Sequence, residues 1–321
     1  MEPVVTTMQT MAKQKASKRK KALIKYGWIT FFVAPGLAIV AIFILLPLFM
    51  SLSNSMYSWT HMIREDFVGL ENFRRLFTTF PFWDRLSNAL GNNMRWLLSS
   101  MLIQNTLGLL FGYALSRQLR GGKLYRRLLF IPVLFSMVAV GFLWRLYLRP
   151  EGLLNAALIM FGQSDMTRAW LGDAQIATFS IIAVNIWRWV GFPSLVFMTA
   201  CDAIDEEIVE SAMLDGANEW QSFWKVLFPL MIPAVTVITV LTIIGSLNVF
   251  EQVFSMAGLE GPPNFSTDTL GTLFYRTAFG GVDSGAPVIG VGSAIAVLIY
   301  VATFAISLLS IWITRSKEVE M

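Results

Sequence analysis

Seven carboxylates crowd residues 202–219: Asp202, Asp205, Glu206, Glu207, Glu210, Asp215 and Glu219, with Lys225 the one base that follows closely. The chain supplies nothing that would turn them into a catalytic centre. It has one histidine, His61, and one cysteine, Cys201, which give no Ser/His/Asp constellation, no Cys/His metal site and no disulfide frame. Both read as packing or surface residues. A phosphate-cradling G-x-x-x-x-G-K-[ST] is absent as well. Gly121-Gly122-Lys123 has no glycine five positions before Gly122 and no hydroxyl after the lysine. No catalytic residue, metal or nucleotide is therefore expected on this chain itself. What exposed carboxylates can still do is dock a partner.

The residues around the acids shape such a handle. Asp205, Glu206 and Glu207 suit the first turn of a short helix, where the dipole favours negative charge. Gly216, just past Asp215, can take the positive φ that ends it. Asn218 then caps a second helix, with Trp220, Phe223, Trp224 and Leu227 at helical spacing. Pro229 and Pro233 follow as an apolar segment begins. The sequence predicts a helix–turn–helix elbow held on one membrane face.

Composition supports the membrane. Of 321 residues, 55% are hydrophobic and 14% charged, and the mean hydropathy is +0.59, too apolar for a soluble domain of this length. Six apolar segments approach the ~20 residues that span a bilayer: Trp28–Phe49, Leu90–Leu115, Leu128–Tyr147, Ile176–Ala200, Leu227–Val249 and Val288–Ile313. The expected fold class is an all-α integral membrane protein with six transmembrane helices. A basic run, Lys13, Lys15, Lys18, Arg19, Lys20, Lys21 and Lys25, precedes the first segment. Alone it could bind nucleic acid or anionic lipid; placed here it is a cytoplasmic anchor, with no nucleic acid implied. The first segment is longer than a signal h-region and no A-x-A site follows it. With the N-terminus inside, every lysine, including Lys123, Lys225 and Lys317, falls on the cytoplasmic side. Both termini are then cytoplasmic. The expected organisation is a basic segment at 1–27, a transmembrane domain at 28–313 with the elbow loop at 202–229, and a short tail at 314–321.

Polar groups inside such segments are costly and default to function. Asn185, Trp187, Arg188 and Trp189 lie in the fourth segment; Thr239, Thr242, Ser246, Asn248 and Glu251 lie in or just beyond the fifth. Aromatic faces with a few amides and hydroxyls suit a sugar, while small and hydroxyl residues also serve as helix-packing glue. Arg188 is either a substrate contact or half of an ion pair whose partner the sequence does not name.

The stretch ESAMLDGANEWQSFWKVLFPLMIP, Glu210 to Pro233, resembles the EAA loop of permease subunits from binding-protein-dependent ABC importers, roughly EAAxxDGAxxxxxFxxIxLP. Glu210, Ala212, Asp215, Gly216, Ala217, Phe223, Leu227 (shifted from the pattern's Ile) and Pro229 carry the match; Ser211 replaces one small residue by another. Tyr125–Asn155, Trp170-Leu171-Gly172, the NIWRWVGFPSLVFMTACDAID block and SLNVFEQVFSMAGLEGPPNFSTDTL resemble further family blocks in the same order. Pro132 is expected at the start of the third span, and an insertion around Gly261-Pro262-Pro263 leaves the outer loop 257–287 open.

The resemblance is closest to permeases for oligosaccharides and glycerol phosphate. It implies a type I ABC importer permease fold with cytoplasmic coupling helices, in a bacterial or archaeal inner membrane. It implies as partners a second permease subunit, an ABC ATPase dimer that binds the ATP and Mg, an extracellular solute-binding protein, a sugar and membrane lipid. Glu207, Glu210, Ala212, Asp215, Gly216, Ala217, Trp220 and Phe223 would couple to the ATPase. Counting from Glu210, the sugar-contacting positions of the maltose member fall on Trp189, Phe192, Thr242, Gly245, Ser246 and Val249. The alternatives are a stand-alone secondary transporter or channel and, more weakly, a membrane anchor or sensor. An internal inverted repeat and a mid-membrane acid, which ion coupling often uses, are not evident.

Overall fold

A computed structural model describes residues 25–60, 62–117, 120–280 and 287–315. The basic run before Lys25, His61, part of the outer loop and the tail beyond Arg315 lie outside the described residues.

The first unit is α1 (Lys25–Asn54), an apolar helix with a π-turn at Ala41–Leu45. Its Phe31, Phe32 and Phe43 side chains are exposed, as expected of a surface meant for lipid or another chain.

The second unit opens on a short hairpin, β1 (Tyr57–Thr60) and β2 (Ile63–Phe67), antiparallel with a register irregularity after Tyr57. Helix α2 (Glu71–Thr78) follows. Asn72 Nδ2 donates to the Ser55 and Tyr57 carbonyls, both at 2.9 Å, and so ties the hairpin to α2. The second span, α3 (Phe82–Ser116), starts eight residues before the apolar window, because its first turns carry Asp84, Arg85 and Asn88. A π-turn, Ser100–Asn105, interrupts its middle.

The third segment is not one straight span. Helices α4 (Gly122–Leu134) and α5 (Met137–Tyr147) meet at 97°. Pro132 lies inside α4, near its end, rather than at the start of the span. Its missing N–H weakens the ladder just before Phe135 turns extended. Helix α6 (Leu153–Met160) follows, and Asn155 Nδ2 donates to the Pro150 and Arg168 carbonyls while its Oδ1 accepts from Trp170 Nε1.

The fourth span is α7 (Ala177–Asp202). Two glycines of α3, Gly108 and Gly112, let it approach closely: a Cβ on Gly112 would stand 2.7 Å from the Ser194 carbonyl oxygen. The elbow follows as α8 (Glu206–Leu214) and α9 (Glu219–Leu230), and α10 (Ile232–Leu247) leaves α9 at 69°. The fifth segment is therefore also broken. Pro233, at the head of α10, cannot donate back into α9. Two short helices, α11 (Glu251–Ala257) and α12 (Leu270–Phe279), lead to the last span, α13 (Ile289–Arg315). Among the described residues, four helices are long and apolar enough to cross a membrane, and six spans result if each bent pair is one.

Three larger apolar clusters, and a small fourth of Leu97, Ile243 and Leu247, hold the second unit. Leu76, Leu86, Leu273 and Ile295 join α2, α3, α12 and α13. Trp96, Val140, Ile181 and Val253 join α3, α5, α7 and α11. Phe197, Ile204, Phe223, Leu227 and Ile238 fix the elbow against α7 and α10. Cys201 packs in this third cluster.

Candidate functional site

The elbow is built by its caps. Gly216 stands at φ 90°, and its N–H donates to the Met213 carbonyl while Ala217 N–H donates to Ala212, both at 3.0 Å. This pairing is a Schellman turn, which only a residue free to take positive φ closes comfortably. Asn218 Oδ1 accepts from Gln221 N–H at 2.9 Å, and Gln221 Oε1 accepts from Asn218 N–H at 3.1 Å, a reciprocal capping box. The two devices set α8 and α9 on either side of a rigid corner.

Glu207, Glu210, Asp215 and Trp220 are exposed on that corner, as are the other four acids of the run, Asp202, Asp205, Glu206 and Glu219. Leu214 and Trp220 are 89% and 71% exposed, an apolar pair among carboxylates that none of the described residues covers. Ala212 and Ala217 are half-buried. Phe223 points the other way, buried against α3, its ring 4.7 Å from that of Tyr113. The Tyr113 hydroxyl accepts from Arg117, which lifts the guanidinium above its ordinary arginine value. A groove of about 900 Å³ runs between the elbow and the head of α4, lined by Glu206 and Glu210 on one side and Lys123 and Arg126 on the other.

A second cavity, of about 580 Å³, lies between α3, α7 and α10. Of the ten candidate ligand contacts, Asn185, Trp189, Phe192, Thr242, Gly245, Ser246, Asn248 and Val249 line it. A Cβ on Gly245 would meet nothing within 4 Å, so the position opens onto free space. Thr242 Oγ1 is already engaged, donating to the Ile238 carbonyl at 2.8 Å and exchanging bonds with Asn105 at 3.0 and 3.2 Å.

Trp187 and Arg188 are not brought to this cavity. Trp187 packs edge-on to Trp144 at 5.4 Å. Arg188 is buried with Nη2 donating to the Phe135 carbonyl at 2.9 Å and the Val133 carbonyl at 3.4 Å. Those carbonyls are freed by the break between α4 and α5. The hydrogen-bond partner that the sequence could not name is backbone, and among the described residues no carboxylate stands within salt-bridge distance of the guanidinium.

Sequence reasoning missed the whole contribution of α3. Ser100, Gln104 and Asn105, on its π-turn, form a third wall of the cavity. Their signal, polar residues at 100, 104 and 105 of an apolar segment, was as plain as that in the fourth and fifth. It also missed a hydrogen-bonded buttress between α3 and the loop before α12. Asn88, Asn92 and Asn93 donate to the Phe265, Ser266, Asp268 and Ser246 carbonyls at 2.6–2.8 Å. Asp268 pairs with Arg276, both buried, and accepts from Thr272 Oγ1 at 2.6 Å. Burial pushes the Asp268 carboxyl up, against the pull of Arg276.

A helical membrane bundle with a cavity lined by apolar and aromatic side chains and a few amides and hydroxyls, and with an acidic corner outside it, is the build of a transport permease. The chain belongs to the family of binding-protein-dependent transport system inner membrane components, whose family model matches residues 104–315. It is 31% identical over 293 residues to the probable ABC transporter permease protein YurN of Bacillus subtilis (strain 168), covering 90% of this chain and 96% of that one. It is 30% identical over 302 residues to the multiple sugar-binding transport system permease protein MsmF of Streptococcus mutans, covering 94% and 99%. Its fold matches a chain of a bacterial alginate ABC transporter, solved in complex with its alginate pentasaccharide-bound periplasmic protein. The TM-score is 0.76 at 23% identity, covering 91% of this chain and 96% of that one. The chain is thus an inner-membrane permease of an ABC importer, which replaces the stand-alone transporter and sensor readings.

Proposed function

We propose that this chain forms one half of a translocation pore for a sugar or oligosaccharide. An extracellular binding protein delivers the substrate, and a separate ATPase opens and closes the pore through the elbow. One observation carries the reading: α10, the helix that leaves the elbow at Met231, is the helix that presents Thr242, Gly245, Ser246 and Asn248 to the cavity. A push on the corner reaches the chamber along a single packed element. Trp189 and Phe192, ring centroids 6.0 Å apart, offer apolar faces beside amides, the mixture a sugar's C–H faces and hydroxyls require. The sugar-binding name of the Streptococcus relative supports the same class.

In this reading Glu207, Glu210, Asp215, Leu214 and Trp220 meet the ATPase, while Phe223 relays the contact inward. ATP and Mg belong to that ATPase dimer, and this chain holds no cofactor. Residues 28–313 carry the transport domain, and the segment 1–27 and tail 314–321 both lie in the cytoplasm, as the one-sided lysines favour. The chain presents one elbow, and two ATPase subunits need two, so a second permease completes the pore. Reconstituted uptake should require this chain, the second permease, the ATPase and the binding protein together. Robust uptake without the second permease would remove the half-pore reading.

A further inference from the structure

The wall that α3 and the head of α11 add to the cavity has a chemical character of its own. Ser100 and Gln252 are each 2% exposed and line the chamber, yet Ser100 Oγ and Gln252 Oε1 have no hydrogen-bond partner among the described residues. Gln104, also buried and lining, makes one side-chain bond, a long 3.5 Å one from Asn185 Nδ2. Buried polar groups are ordinarily paired, and each exception asks for a missing partner. Two of these residues sit on a π-turn, a distortion that re-aims side chains and recurs at functional sites. The remaining observation is charge. Among the described residues that line the chamber, Glu251 is the one acid, and no lysine or arginine joins it. Arg188, one residue from Trp189, donates Nη2 to the Phe135 carbonyl and does not line the chamber, while its Nε and Nη1 find no partner among the described residues.

We infer that this chamber selects an uncharged saccharide, with Ser100, Gln104 and Gln252 as the hydrogen-bonding wall that reads its hydroxyls, and that it rejects sugars bearing a carboxylate or phosphate. The inference rests on the chamber being the translocation path. A neutral polyol replaces its water bonds by the hydroxyl and amides and satisfies groups that are otherwise orphaned. An anion entering the same space would find no counter-charge among the residues with which this chain lines it, inside a membrane where an unpaired charge is most costly, and would meet Glu251. A site built to pair a ligand's polar groups discriminates steeply, because the wrong ligand leaves those groups unpaired.

The test uses the assembled transporter in detergent without its binding protein. It is titrated with maltotriose, with raffinose and with trigalacturonate, and read by the fluorescence of Trp96 and Trp189, which both line the chamber. At least one neutral trisaccharide should quench at a tenfold lower concentration than trigalacturonate. Gln104→Leu and Gln252→Leu should each move that midpoint up at least threefold in complexes that still co-purify. Gln104→Lys should gain trigalacturonate binding, an outcome that misfolding cannot imitate. Equal or tighter binding of trigalacturonate by the unsubstituted protein, Leu variants that titrate unchanged, or no gain with Gln104→Lys would each overturn the proposal. Gly245→Trp separates the two levels. If it abolishes the titration while the Leu variants leave it unchanged, the path stands and only the wall fails. If it titrates normally, the chamber is not the path and both readings fall.

Discussion

The ring of Phe223, on the elbow, stands at a 62° tilt to the ring of Tyr113, on the second span, with centroids 4.7 Å apart. Phe223 also belongs to the cluster that holds Ile204, Leu227 and Ile238 together. The corner is therefore bolted at once to α3, α7 and α10, the three helices that wall the cavity. Replacing Phe223 by Leu keeps a buried apolar side chain but removes an aromatic pair worth about 0.5–1.5 kcal/mol. Assembly should survive and sugar uptake should fall; uptake at the parental rate would detach this ring pair from coupling.

Asp215 is exposed just past the end of α8, in reach of a docked partner, and its carboxylate forms no ion pair among the described residues. Asp215→Lys should abolish uptake by reversing a docking charge while membrane insertion and subunit level stay normal. Transport assays on membranes matched for subunit content check this, and normal uptake would remove Asp215 from the docking surface.

Arg188 should behave as a pin and not as a ligand. Lysine at this position keeps the charge but loses the planar fork, leaving the Val133 and Phe135 carbonyls short of a donor. The expected cost is about 1–3 kcal/mol, seen as a lower unfolding temperature in detergent, with the KM of uptake unchanged. A raised KM at unchanged thermal stability would return Arg188 to the substrate path.

Gly245 faces open cavity, so Gly245→Trp should block uptake while ATPase subunits still assemble. Ser246 is 2% exposed beside it, and Ser246→Ala should shift substrate preference by about 1 kcal/mol, the worth of one neutral hydrogen bond. Substrate should also protect cysteines placed along α7 and α10 from thiol reagents. Protection confined to α1 or to α4 and α5 would misplace the path.

Asp268 neutralises Arg276 inside the buttress, where both side chains are at most 1% exposed. Asp268→Ala would strand a buried guanidinium at a cost of about 3–5 kcal/mol. Thermal unfolding should show a large loss of stability, and a loss below about 1 kcal/mol would mean the pair is replaceable by water.

Much of this was legible in residues alone. Gly216 and Asn218 announced the corner because positive φ and capping are local demands that a single residue type meets. The six apolar windows gave the spans, since bilayer thickness dictates length. The breaks in the third and fifth spans were not legible, because a proline says that a helix is weakened but not where the freed carbonyls find a donor. For Val133 and Phe135 that donor is Arg188, more than fifty residues on. Asn88, Asn92 and Asn93 were missed for the same reason: their partners are carbonyls over 150 residues away. The substrate cavity was half read, with α7 and α10 named and the π-turn of α3 overlooked.

The central claim is that motion enters through the corner held by Gly216. Gly216→Pro imposes φ near −65° where 90° is needed and deletes the N–H that bonds Met213. Sugar uptake and ATP hydrolysis should be measured together in proteoliposomes that contain the complete importer with this one change. The account predicts an assembled complex whose uptake is abolished. Uptake at the parental rate, at normal subunit levels, would contradict it.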